Sequence, residues 1–305
     1  MNVLVADDSG LYRDVLKRML EKWGYEVVLA ANGYEAQQIL ASDDPPRIAI
    51  LDVFMPGLGG FELCQFVRGR SRPYVYAILL SVADSPSDVM SGFEHGADDY
   101  LCKPVGEAEL IARLRVGERI ISSHDELLEA HEALRFQASH DPLLRIWNRA
   151  AIIDLLNTEV SRAGRQQTQL CLFFVDLDQF KHLNDSFGHL AGDALLHTVA
   201  EKLSSAVREY DHVGRFGGDE FLVVLPDCSA EAARQVAERV RQSIGSEAVL
   251  LGDQPVSITV SIGVSQWSFG QDVNDLLYRA DSALYRAKEN GRNRVEFEMR
   301  ATKAT

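Results

Sequence analysis

Short apolar runs alternate with amphipathic helical patterns through the first 105 residues, and this alternation constrains the fold more than any other feature. The runs are Val3-Leu4-Val5-Ala6, Val27-Val28-Leu29, Ile48-Ala49-Ile50-Leu51, Ala77-Ile78-Leu79-Leu80 and Tyr100-Leu101-Cys102. Helical spacing links Leu11, Val15, Leu16, Met19 and Leu20, then recurs over 34–40, 61–67 and 89–95, and again from Glu107 onward. Near-continuous apolar strands separated by helices predict a doubly wound α/β unit, a parallel five-stranded sheet covered on both faces. Such sheets bind ligands at the carboxyl ends of their strands. Asp7, Asp8, Asp52, Ser81 and Lys103 all fall at those ends. Acids ending two separate strands repel unless a cation joins them, so Asp7, Asp8 and Asp52 imply a Mg2+ site with the Phe54 carbonyl as a further ligand. A hydroxyl at Ser81 and a cation at Lys103 complete a cradle for a phosphoryl group on Asp52. Singly these residues read as loop acids, a helix cap and a surface lysine; together at strand ends they do not.

A chain of 305 residues is long for one core, so two domains are expected. The formal net charge of -14 argues against a nucleic-acid surface, which needs clustered Lys and Arg. Nucleotides stay open, because a metal can meet their charge locally. Cys64, Cys102, Cys171 and Cys228 lack metal-ligand spacing and read as reduced thiols. No apolar run approaches membrane-spanning length and the N-terminus lacks a basic leader pattern, so a cytoplasmic location without a membrane partner is expected.

From Glu107 to Ser139 there is no Pro, and Gly117 is the only Gly. Ile120/Ile121, Leu127/Leu128 and Leu134 recur at seven-residue spacing, which predicts a helical seam against another helix. His124 and His131 lie on that stripe and read as facing solvent or the seam. The run is too short for a stable coiled coil alone, so contacts from the first domain must help set its pairing. Asp141-Pro142 then opens a second domain. Its pattern is a helix from Arg149, a buried strand ending in Asp176-Leu177-Asp178, helical pieces at 180–187 and 190–207, a helix at 230–244, a strand at 256–260, a helix at 273–289 and a strand at 295–297. Between the helices stands Arg215-Phe216-Gly217-Gly218-Asp219-Glu220-Phe221, followed by Leu222-Val223-Val224-Leu225. It reads as a tight hairpin with glycines at both turn positions, where a phosphate can approach the backbone. Strand alternation would send Asp219 and Glu220 to opposite faces. Acids at such a tip suit a divalent cation holding a triphosphate. Taken alone, the four residues Gly-Gly-Asp-Glu also read as an ordinary acidic turn.

With its flanks, this stretch resembles the signature of GGDEF-domain diguanylate cyclases, which condense two GTP into cyclic di-GMP. The N-terminal part resembles the receiver domain of two-component response regulators. That resemblance implies Asp52 as phospho-acceptor, Ser81 and Tyr100 as switch residues, and Lys103-Pro104 as the Lys-Pro pair with a cis bond. Gly59 and Val82 depart from it, where many receivers carry Asp and Ala. For the second domain it implies an α+β fold with a nucleotidyl-cyclase-like palm sheet. The implied metal set is Asp176, Asp219 and Glu220 with the Leu177 carbonyl, Glu220 serving as ligand or base; Mg2+ is expected in both domains, with Mn2+ an alternative. Gln179, Phe180, Lys181, Lys288 and Arg292 match phosphate-binding positions, and Asn184 and Asp193 match guanine readers. Arg208, Asp211 and Arg239 match an inhibitory product site. The family usually opens with Asp-Pro-Leu-Thr-Gly-Leu; here Leu144 and Arg145 replace Thr and Gly. Expected boundaries are 1–118 for the receiver, 107–140 for a helical linker that pairs in a dimer, 141–298 for the GGDEF domain and 299–305 for a disordered tail. Expected partners are GTP, cyclic di-GMP, a cognate histidine kinase and a second copy of the chain. A catalytically inactive domain that only binds cyclic di-GMP is the competing reading.

Overall fold

The computed structural model describes residues 1–70, 73–82, 86–246, 248–251 and 254–298; the expected tail at 299–305 lies outside them. Contacts divide the chain into two units, meeting at Glu132 and Ala133. In the first unit, β1 (Asn2–Ala6), β2 (Glu26–Ala30), β3 (Ile48–Asp52), β4 (Tyr76–Ser81) and β5 (Asp99–Cys102) form a parallel sheet of order β2-β1-β3-β4-β5. Successive side chains on these strands feed different cores. Leu4, Leu51 and Leu79 enter one cluster, and Val3, Val5, Ile50 and Ile78 the other. That is why the strands read as continuously apolar: both faces are covered. The covering helices are α1 (Gly10–Lys22), α2 (Gly33–Leu40), α3 (Gly60–Arg68), α4 (Pro86–Glu94) and the start of α5 (Glu107–Ser139).

α5 buries Leu110, Leu114, Gly117 and Ile121. A Cβ at Gly117 would lie 2.6 Å from the Tyr76 ring, so the helix can approach the sheet only with glycine there. Further along, the His124 ring packs on Tyr74 at 4.8 Å, and Arg47 pairs with Asp125 at 2.8 Å. The structure refines two expectations here. His124 is half-buried, with the Tyr74 ring against one side of it. The paired apolar positions also separate: Ile121 is buried in the first unit and Leu128 is half-buried, while Ile120, Leu127 and Leu134 remain 40%, 67% and 64% exposed.

In the second unit the sheet order is β12-β11-β6-β8-β7. It is built from β6 (Leu170–Leu177), β7 (His212–Gly217), β8 (Glu220–Pro226), β11 (Val260–Gln266) and β12 (Val295–Glu298). All pairings are antiparallel except β11 with β12. Alternation on β6 again feeds two cores, Cys171, Phe173 and Val175 on one side and Leu170, Leu172 and Phe174 on the other. α6 (Arg149–Gln166), α7 (Phe180–Phe187), α8 (His189–Ala206), α9 (Ala230–Gly245) and α10 (Val273–Glu289) cover the sheet.

Two local expectations differ from the structure. The strand predicted at 256–260 is not formed. A small hairpin, β9 (Val249–Leu251) with β10 (Gln254–Val256), precedes it, and the strand that pairs with β6 begins at Val260. Gly263 interrupts the apolar pattern of β11 because a Cβ there would sit 2.1 Å from the Ala280 carbonyl oxygen on α10. The hairpin turn is also displaced by one residue. Gly217 pairs with Glu220 after a register shift beyond Arg215, so the turn residues are Gly218 (φ 53°) and Asp219, not two glycines. Asp219 therefore leaves the strand, and simple alternation does not govern it.

Candidate functional site

At the carboxyl end of the first sheet, carboxylate oxygens of Asp7, Asp8 and Asp52 lie within 4.8 Å of one another. Asp7 is fully buried, Asp52 nearly so, and Asp8 is exposed. The Lys103 ammonium donates to Asp7 Oδ2 at 2.6 Å and reaches Asp52 Oδ2 at 2.9 Å, and the Lys103–Pro104 bond is cis. Burial pushes the Asp52 carboxyl above its ordinary range, against the pull of Lys103 and of the Phe54 backbone N–H. Lys103 goes upward in spite of burial, through its bonds to Asp7 and Asp52. Three converging hard oxygens suit a divalent cation. Ser81 is buried where β4 ends, while the side chain of Val82 is largely exposed. Tyr100 is already buried, against Gly92. Gly59 sits in the turn before α3, where an added Cβ would be 2.7 Å from the Val53 carbonyl oxygen.

In the second unit, Asp176 on β6 stands opposite Glu220 on β8, and the Leu177 N–H reaches the Asp219 carbonyl at 3.4 Å. Burial pushes the Asp176 carboxyl up to about 6; its ion pair with Lys288 pulls the other way, and the charges of Asp219 and Glu220 add to the rise. The Lys288 ammonium lies 2.7 Å from Asp176 Oδ2. Glu220 is also raised, first by burial and then by Asp219. The charges of Asp219 and Glu220 act on Asp176 and Lys288 relieves them, which suits a divalent cation, but among the described residues only Asp7, Asp8 and Asp52 have carboxylate oxygens all within 4.8 Å of one another. Above them the hairpin backbone is bare, with no atom within 4 Å of the space a Cβ would fill at Gly217 or Gly218. Arg215 fixes that turn. Its Nε and Nη2 donate to the Gly218 carbonyl at 2.9 and 2.8 Å, and its Nη1 pairs with Asp141 at 3.2 Å.

Asn184 on α7 meets α8 at Gly192, where a Cβ would lie 1.9 Å from Asn184 Oδ1, and Asp193 is the next residue along that helix. That oxygen is buried and has no hydrogen-bond donor. A buried acceptor left open in this way fits a ligand donor. Gln179, at φ 59°, turns the chain into α7, so the Phe180 and Lys181 amides open that helix. Arg292 sits after α10 in a run of positive φ, Gly291 at 107°, Arg292 at 61° and Asn293 at 46°.

Sequence reasoning passed over Asp178, which holds this run. Its Oδ1 accepts from Ser261 Oγ at 2.7 Å, and its Oδ2 from Thr259 Oγ1 at 2.7 Å and the Asn293 N–H at 3.0 Å. The signal was the second acid of Asp176-Leu177-Asp178, followed far along the chain by hydroxyls that only tertiary pairing brings near.

The Asp211 carboxylate accepts the Arg208 N–H at 2.8 Å, and Arg208 Nη1 donates to the Tyr210 hydroxyl at 2.7 Å. Burial raises the Asp211 carboxyl. Arg239 donates to the Ala206 carbonyl at the end of α8.

Residues 138–294 match the family model described as diguanylate cyclase, GGDEF domain, and residues 3–115 that of the response regulator receiver domain. The chain belongs to the GGDEF diguanylate cyclase family. It joins a receiver domain to a GGDEF domain through α5. The response regulator PleD of Caulobacter vibrioides is 31% identical over 96% of this chain and 65% of its own length. Diguanylate cyclase DgcP of Pseudomonas aeruginosa is 41% identical over 62% of this chain and 29% of its own. The chain thus spans less than two thirds of either relative. The coiled coil and GGDEF domain of DgcB from Caulobacter crescentus, solved in complex with c-di-GMP, aligns with a TM-score of 0.57 at 31% identity, over 62% of this chain and 99% of that one. GGDEF cyclases and receiver domains generally use divalent metal ions. Among the described residues, no helix is long and apolar enough to cross a membrane.

Proposed function

We propose that this chain is a phosphorylation-controlled diguanylate cyclase, joining two GTP into cyclic di-GMP with release of two diphosphates, and inhibited by its product. The observation that carries this reading is the opposition of Asp176 and Glu220 across β6 and β8, with Asp219 in the adjoining turn. A divalent cation, Mg2+ or Mn2+, held by these carboxylates and the Leu177 carbonyl would polarise the α-phosphorus and lower the pKa of the attacking 3′-hydroxyl. Lys288 exchanges Asp176 for a phosphate oxygen, and Arg292 adds its fork of donors. Amides around Gln179, Phe180 and Lys181 supply further donors to the phosphates. Asp193 accepts from guanine N1–H and N2–H2, and the Asn184 carboxamide pairs with the same edge. Glu220, held above the ordinary carboxylate range, takes the hydroxyl proton.

Each GGDEF domain offers one GTP pocket, so two copies must face one another across a twofold axis. A phosphoryl group from a cognate histidine kinase on Asp52 draws Ser81 and Lys103 toward it and repacks the face around Tyr100. α5 carries that change, and Ile120, Leu127 and Leu134 supply its dimer seam. Product binds at Arg208, Asp211 and Arg239. The protein acts in the cytoplasm, where GTP and the kinase are found.

The test is turnover of GTP by the purified full chain with Mg2+, with and without beryllofluoride as acyl-phosphate mimic. Cyclic di-GMP formation that the mimic increases, and that Asp219→Ala lowers on the order of a thousandfold, is expected. Asp52→Asn loses the response to the mimic. A folded wild-type chain that binds cyclic di-GMP but turns over no GTP in either state would establish the inactive receptor instead.

A further inference from the structure

Beside the Arg208–Asp211 turn, a cavity of about 290 Å3 opens within the GGDEF unit, and the opening segment of the domain forms its other wall. That wall carries Arg145. The Asp141 side chain accepts from the Leu143 and Leu144 N–H groups at 3.0 and 2.9 Å, and the Asp141 N–H closes onto the Ile146 carbonyl at 2.8 Å. This tight turn drives residue 145 to φ 57°. A residue with a Cβ is disfavoured there, and an arginine gains nothing for the turn by its presence. Its guanidinium has no carboxylate and no hydrogen-bond partner among the described residues, and its one contact is the Phe136 ring at 4.9 Å. Phe136 stacks on His140 at 4.0 Å, and His140 on Trp147 at 4.4 Å, so arginine and rings form one ladder at the edge of the cavity.

We propose that Arg145 is a ligand-binding residue of this cavity, acting with Arg208 on one guanine nucleotide half of the cyclic dinucleotide product. The inference rests on the product-site reading of Arg208 and Asp211 and extends it to the opposite wall. The cavity walls combine two guanidiniums, Arg145 and Arg208, with two acids, Glu209 and Asp211, and with the rings of His140 and Trp147. Formal charge on those four side chains cancels, so a bare anion gains little. A purine uses the whole set: its donor edge meets the acids, its face lies along a ring, and its phosphodiester takes a guanidinium fork. The volume, about 290 Å3, lies just below the ordinary range for ligand cavities of roughly 300–1,000 Å3, enough for one nucleotide and not for both halves.

The experiment is calorimetric titration of the full chain with cyclic di-GMP, with GTP and inorganic phosphate as competitors. Arg145→Gly removes the guanidinium and supplies the one residue at ease at φ 57°. Its melting temperature should stay within about 3 °C of wild type, while its Kd for cyclic di-GMP weakens about tenfold, as expected for one lost charge-assisted contact. Arg145→Lys should recover part of that loss. Unchanged affinity in Arg145→Gly, with affinity lost in Arg208→Ala, overturns the role of Arg145 and leaves the product site standing. Unchanged affinity in both variants overturns the product site as well. Displacement of cyclic di-GMP by inorganic phosphate at similar concentration overturns the nucleotide assignment.

Discussion

Asp178→Asn probes how the loop carrying Arg292, a proposed phosphate ligand, is held, and its cost follows from three bonds. The carboxylate accepts from Ser261, Thr259 and the Asn293 N–H. An asparagine in the same place best turns its carbonyl toward Thr259 and Asn293 and its amide toward Ser261, whose hydroxyl can rotate to accept. The Ser261 proton then loses the acceptor it had, and charge assistance is lost from all three bonds. Hydrogen bonds to charged groups contribute about 1.5–3 kcal/mol against about 0.5–1.5 for neutral ones, so the loss is roughly 1 kcal/mol per bond and roughly 3 kcal/mol in sum. For a domain of this size that lowers the melting temperature by about 6–12 °C. The Asn293 bond also restrains the left-handed conformations of Arg292 and Asn293, each a costly state. Weakening it lets Arg292 withdraw, and the Kd for a non-hydrolysable GTP analogue should rise about fivefold to tenfold. Calorimetry on the single and double variants with Arg292→Ala separates positioning from general damage. In the Arg292→Ala background, Asp178→Asn should weaken binding less than twofold. Additivity within about 0.5 kcal/mol would refute the reasoning.

Gly192→Ala should raise the KM for GTP by roughly threefold to tenfold, by forcing the Asn184 carboxamide off its position, while α8 loses no stability because alanine is the better helix former; thermal melts and initial rates check both. Leu127→Glu should lower activity with and without the acyl-phosphate mimic and shift sedimentation toward monomer, because it puts like charges on the exposed stripe of paired helices; an active monomer would exclude that seam. Product inhibition should weaken on acidification at a higher pH than an ordinary aspartate would dictate. Burial raises Asp211, and protonation turns its acceptor into a donor; inhibition constants across pH should lose this dependence in Asp211→Asn.

The receiver sheet was legible because its strands are buried on both faces, so Ile48 to Leu51 and Ala77 to Leu80 carry no polar interruption. β11 was misread because Gly263 and the serines beside it answer to α10 and to Asp178, partners far away in the chain. The turn of the signature hairpin was misplaced by one residue because nothing local announces the register shift after Arg215. The seam of α5 was blurred for a related reason. Heptad spacing marks two adjacent stripes, and only Tyr74 and Arg47, from a loop and a strand edge elsewhere, decide which one is taken. The acids of both sites stood out, since carboxylates ending apolar strands have few structural uses. Asp178 did not, because its partners are hydroxyls and a backbone amide with no pattern of their own.

Lys288 on Asp176 has a consequence for the order of events at the cyclase site. The Lys288 ammonium lies on the acid that a cation would need, 2.7 Å from its Oδ2. A free ion binding Asp176 would have to take the place of that charge. A nucleotide arriving with its own ion offers the lysine a phosphate in exchange, so both charges are rehoused in one step. Lys103, shared by Asp7 and Asp52, holds the receiver site in the same condition. Two unrelated folds in one chain thus set a lysine ammonium on the acid that a cation would need, and in each a phosphate arriving with its metal would give that lysine a new partner in place of the old.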